Sequence, residues 1–244
     1  MADDLAGLIV PGTPLLVPGV DRREPPELAH LRDRIADLLR ESDTWVVPLA
    51  ATAVPPLLSL GGLGIDAGAR VRMSPGCGRV GPAELVTGTA LAEAVDGLDT
   101  GGAEQAAGTS TGVVVGALLA AAAGADVHLH PCGGESGTPP HPDRPAGPLL
   151  VPVDFSAAAH PDAPLAPREG ADAFDERLEQ ALTGPLERAE LRALGDAANR
   201  FAAALEPLGL IDPEGLRGEV DAAVDVHRVR YRLIRLTADG GPRP

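Results

Sequence analysis

The chain has 244 residues, 44% of them hydrophobic, a formal net charge of −15 at pH 7, and only five aromatic side chains. That length and apolar content suit one large α/β domain spanning residues 1–244, with a core of Leu, Val, Ile and Ala rather than stacked rings. The acidic balance repels phosphate backbones and anionic lipid, so nucleic acid and membrane surfaces are excluded as expected partners. All twenty basic residues are Arg, which with abundant Ala, Gly and Pro is the codon signature of a GC-rich bacterial genome. Cys77 and Cys132 are too few and too far apart for a disulfide scaffold and read as reduced thiols. Asp3 and Asp4 precede the first apolar run where a secretory signal would carry basic residues. The longest apolar stretch, Val113 to Gly124, falls short of the ~18–20 residues a membrane span needs. A cytoplasmic location is expected.

Leu5 to Val10, closed by Pro11-Gly12, predicts a buried strand. Leu28, Leu31, Ile35, Leu38 and Leu39 recur at helical spacing and predict a helix from Pro26 to Arg40; Thr44 to Leu49 then predicts a second strand. This β-α-β opening predicts a mostly parallel central sheet flanked by helices. Ala50 to Gly81 is rich in Gly and Pro and reads as loops, with one short strand near Arg70 to Met73. Helices are expected at Pro82–Ala94 and Ser110–Ala123, and a strand at Val127–His130. Residues 133–147 form a Pro- and Gly-rich loop suited to a mobile lid. Leu149 to Val153 is a further strand, Asp172–Leu182 and Leu186–Leu205 are helices, and Val226–Leu236 closes the chain as a strand. On that last strand Arg228, Arg230 and Arg232 fall on one face, read as the solvent face of an edge strand, with a grip on a carboxylate or phosphate as the alternative.

Two stretches carry a resemblance. The run Ile9-Val10-Pro11-Gly12-Thr13-Pro14-Leu15-Leu16-Val17-Pro18 resembles the first strand and loop of LigB-like proteins, the subunit-B type of class III extradiol dioxygenases. Leu149 to Asp175 is similar to a later part of the short bacterial members, through Asp154-Phe155-Ser156, Asp162-Ala163-Pro164 and Phe174-Asp175. The resemblance implies a class III extradiol dioxygenase-like α/β fold. In that family it also implies a ferrous site of two His and one carboxylate, with a further His as acid/base, that opens catechol-type rings with dioxygen. Such a metal must keep positions open for substrate and O2. Here Gly12 stands where the family has a ligand His, Pro161 where it has Glu, and Leu49-Ala50-Ala51-Thr52 ends the second strand without a His. Neither Gly12 nor Pro161 can ligate, so the expectation is a degenerate active site without the family's iron.

The remaining chemistry-bearing residues have two readings. His128, His130 and Cys132 place three metal-competent groups within five residues, and His160, Asp154 or Asp162 would complete a relocated Fe(II) or Zn(II) site. The plain alternative is a strand running into a polar loop. His30 and His141 read as exposed, and His227 has no evident carboxylate partner. Gly61-Gly62-Leu63-Gly64 and Gly76-Cys77-Gly78 match no phosphate-loop fingerprint and read as turns. Thr109-Ser110-Thr111-Gly112 precedes an apolar helix and reads as its N-cap, with anion binding as the alternative. Ser156 lacks a nucleophile elbow. The expected function is binding of a small molecule or protein partner on a LigB-like scaffold without a cofactor. The alternative is a diverged metal-dependent oxidoreductase using His128, His130, His160 and Asp154. A homo-oligomer is compatible with either.

Overall fold

A computed structural model describes residues 5–18, 20, 25–74, 77–132 and 147–238. β1 (Leu5–Val10) leads to α1 (Pro26–Leu39) and β2 (Thr44–Leu49). Five short strands follow: β3 (Leu57–Ser59), β4 (Gly68–Arg70), β5 (Arg72–Ser74), β6 (Cys77–Val80) and β7 (Leu85–Val86). Helices α2 (Gly88–Asp96), α3 (Thr100–Gly108) and α4 (Thr111–Ala122) then lead into β8 (Asp126–Pro131). The chain continues through β9 (Leu149–Pro152), α5 (Ala171–Leu182), β10 (Gly184–Pro185), α6 (Arg188–Ala198), β11 (Leu216–Val226) and β12 (Val229–Ala238).

The apolar stripe of α1 is buried as its spacing requires, with Pro26 in the first turn where the missing N–H costs nothing. Its far end is closed from the next strand: the indole of Trp45 donates to the Leu39 carbonyl at 2.8 Å, satisfying one orphan acceptor. β1, β9, β2 and β8 lie side by side in that order and pair in parallel. Among the described residues they are the only parallel strands of the nine in the large sheet, β10-β11-β12-β1-β9-β2-β8-β6-β5. β12, β11 and β10 extend one side and β6 and β5 the other, all antiparallel. The sheet is therefore mixed, not mostly parallel. The expectation failed because β11 was missed: one of its faces is solvated, and its Glu, Asp and Ala residues give no apolar run. A second, three-stranded antiparallel sheet, β3-β4-β7, draws its first two strands from the segment read as loops.

Side chains alternate across the large sheet and feed two apolar cores. Leu8, Val10, Trp45, Val47, Val127 and Leu129 pack on the face that carries α1 and α4. Ile9, Leu149, Val151, Ile234 and Leu236 pack against α5 and α6 on the other. In α4 every residue from Val113 to Ala121 is buried. Among the described residues no single helix is long and apolar enough to cross a membrane.

Several boundaries moved. The helix expected from Pro82 begins only at Gly88, because Leu85 and Val86 pair with β4. The one expected over Leu186–Leu205 stops at Ala198; Ala202 sits at φ 54°, and Ala204 exchanges two backbone hydrogen bonds with Asp154. Residues 133–146 of the expected lid lie outside the described residues. The arginine row is also corrected. β12 runs between β11 and β1, so it is no edge, and Arg230 and Arg232 lie beneath α5 rather than in solvent. Glu179 of α5 takes Arg232 at 2.7 and 3.1 Å and Arg230 at 3.5 Å, while Asp225 takes Arg232 at 2.7 Å.

Candidate functional site

In open sheets of this kind ligands gather outside the carboxyl ends of the parallel strands. There Gly12, two residues past the end of β1, donates its N–H at 2.9 Å to Oδ1 of Asp154, just beyond β9. A Cβ on Gly12 would lie 2.8 Å from the Cα of Gly112, in the first turn of α4, and 2.9 Å from Asp154 Oδ2. Position 12 thus has no room for any side chain. Burial pushes the Asp154 carboxyl up to about 6, opposed only by the Gly12 N–H. Tyr231 stands close by, its phenol raised by burial and by the charge of Asp154 and held down by a hydrogen bond with Thr13.

Because Asp154 binds a proton more tightly in the folded chain than at the ordinary value near ~3.9, its contribution to stability falls as pH rises from about 4 to about 6. Asp154→Asn keeps the acceptor for Gly12 and removes that ionisation. We expect the variant to gain on the parent between pH 4 and pH 7, by an amount on the order of 1–3 kcal/mol, read as the difference between their melting temperatures at the two pH values.

The other residues of the predicted metal set lie elsewhere. His128 and His130 alternate with Val127 and Leu129, so they face away from α1 and α4, whereas Asp154 sits against the start of α4. Burial, with Arg79 adding to it, lowers the affinity of His128 for a proton, and Asp126 opposes this; its Nδ1 is buried without a hydrogen bond among the described residues. His130 is almost fully buried. Cys132 uses its backbone N–H on Leu49 at 2.9 Å and its thiol on the His130 carbonyl at 3.5 Å. His160 lies in a separate polar hollow with His227. His128, His130, His160 and Asp154 are therefore not brought together: the sheet lies between the two strand histidines and Asp154, and His160 lines a hollow that none of the other three borders. Among the described residues no group of three or more His, Cys, Asp or Glu side chains is placed to hold a metal.

Ser156 has a structural task. Its N–H donates to Asp175 Oδ1 at 2.8 Å, its hydroxyl donates to the Phe201 carbonyl at 2.5 Å, and the Ala158 N–H donates to that hydroxyl at 3.0 Å. Asp175 is fully buried, and burial raises it to about 6 as well.

A cavity of about 780 Å³ is bounded by Leu57 and residues 59–66, by α2 and α3, and by Thr109 and Thr111 at the start of α4. Leu57, Leu60, Ile65, Leu91, Val95 and Leu98 line it. Its walls are loosely held: α3 buries none of its residues, and Asp99 caps it by accepting from the Gly102 N–H at 2.7 Å. Asp66 and Asp96 stand at the rim, with Asp66 accepting from the Gly88 N–H at 2.5 Å. Of the stretch read as an N-cap, Ser110 takes the cap position of α4, but its side chain makes no capping bond, and among the described residues its buried Oγ has no hydrogen-bond partner. Ser110 instead lines a smaller hollow of about 150 Å³ beside Ala50 and Ala51, and Thr109 lines both spaces. The sequence offered little warning of the cavity, since it is built from Gly- and Ala-rich segments of weak periodicity.

In comparisons with known proteins, the chain matches no protein family model, and no curated protein matches it significantly.

Proposed function

We propose that this chain is a binding protein on a LigB-like α/β scaffold, and that its ligand is a small, uncharged, predominantly apolar molecule held in the 780 Å³ cavity. The cavity carries the reading. Its volume falls in the range of ligand pockets, and its walls are mostly apolar, with Ser59, Asp66, Asp96, Thr109 and Thr111 as the few polar side chains that could orient a ligand. The first N–H groups of α4 suit a carbonyl or hydroxyl on the ligand. Asp66 and Asp96 at the rim, with the net charge of −15, disfavour an anion. Support for the scaffold comes from the two resembling stretches, which touch through Gly12 and Asp154. Support for binding over oxidative chemistry comes from position 12, which admits no ligating side chain, and from Pro161.

The test is calorimetric titration with 2-octanone at several temperatures. We expect one saturable site with a negative heat-capacity change, the mark of apolar burial. Val95 is 45% exposed on α2 and lines the cavity, so a tryptophan there fills the space while leaving the core alone. Val95→Trp is expected to weaken binding at least tenfold. Absence of saturable binding, or equal affinity in the variant, would overturn the proposal.

A further inference from the structure

A second hollow has a different chemistry. β11 and β12 are joined by a two-residue turn, His227-Arg228, between the paired Val226 and Val229. A tight hairpin turn of this kind needs positive φ at both central residues, which is why Asn-Gly is the favoured pair. Here His227 sits at φ 50° and Arg228 at φ 61°. Side chains with a Cβ are strained in that region, and such strain persists where the surrounding structure, or a use for the side chains, maintains it.

Both turn residues line a polar cavity of about 500 Å³, facing His160 from the segment after β9, with Arg230 and three carboxylates completing the wall. Two of the carboxylates are paired with arginines. Asp172 is paired with Arg230 at 2.7 Å and Asp225 with Arg232 at 2.7 Å. Asp162 lies 3.6 Å from His160 Nδ1 and donates its backbone N–H to that atom at 3.1 Å. With Nδ1 accepting, the neutral His160 ring carries its proton on Nε2 and presents a donor there. Arg228 and His227 are exposed and form no ion pair among the described residues. The donors left for a ligand are the Arg228 guanidinium and two imidazoles, with Asp162 the one carboxylate of the wall not paired with an arginine.

We infer that this cavity binds the oxyanion group, carboxylate or phosphate, of a small molecule, gripped by Arg228 with His227 and His160. Arginine matches the planar, two-oxygen geometry of such groups. The inference is independent of the apolar cavity and does not rest on its having a ligand.

The test exploits the turn. His227→Asn/Arg228→Gly supplies the pair that the backbone prefers, so the variant is expected to melt about 2–4 °C higher than the parent. Its binding should move the other way. Inorganic phosphate and citrate, titrated separately, are expected to shift the His160 and His227 imidazole resonances of the parent saturably. The affinity of whichever anion binds should fall at least tenfold in the variant, read from His160. Binding of phosphate but not citrate, or the reverse, identifies the oxyanion. Failure of both to bind, unchanged affinity in the variant, or a lower melting temperature for the variant would each overturn the inference.

Discussion

Gly12→His is expected to lower the melting temperature by roughly 10 °C without giving the chain a metal site. The clash begins at the Cβ, which would stand 2.8 Å from Gly112 Cα and 2.9 Å from Asp154 Oδ2. Neither neighbour is the loose end of a long side chain. To relieve the clash, α4 must shift within its packed core or Asp154 must swing off the Gly12 N–H. Overpacking of this kind costs about 1–3 kcal/mol, and leaving a buried carboxylate without its donor costs about 1–3 more. At ~2–4 °C per kcal/mol for a chain of this size, the sum is on the order of 10 °C. Gly12→Ala should show much of the loss, because the offending atom is already present. Thermal denaturation followed by circular dichroism checks both variants, and an alanine tolerated without cost would contradict the packing described at the strand ends.

Glu179→Ala carries the second large effect. Arg232 is 8% exposed, and Glu179 provides two of its hydrogen bonds while also reaching Arg230. Removing one partner of a buried pair typically costs about 3–5 kcal/mol, because the remaining charge is left desolvated. Asp225 and the carbonyls of Val224 and Tyr231 still hold the guanidinium, so the lower end, about 3 kcal/mol, is expected. Denaturant unfolding should show a lower midpoint at unchanged slope. Arg232→Leu should cost less than Glu179→Ala, since it removes the charge along with its partner's task.

What could be read from the sequence follows from how strongly each segment is patterned. α1 with its five buried apolar positions, the continuous apolar runs of β1, β2 and β9, and the helix at Ala171–Leu182 were legible because burial on one face or both leaves a period. β11 was not, because its exposed face mixes acidic residues with Ala, and without it the arginines of β12 were assigned to solvent. α3 was invisible for a related reason: a helix that buries nothing has no stripe. The candidate sites show the same limit. His128 and His130 stood out as residue types, yet they occupy the face of the sheet away from Asp154. The cavities were missed because concavity arises from packing between segments distant in sequence, such as residues 57–66 with α2 and α3, or the β11–β12 turn with His160.

The most direct test of the central proposal is methyl NMR of the parent chain during titration with 2-octanone. Saturable shifts concentrated on the methyl groups of Leu57, Leu60, Leu91 and Val95, and absent from core methyls such as Leu178 on the far side of the sheet, are the predicted result. Shifts spread evenly over the molecule, or none at the cavity, would contradict it.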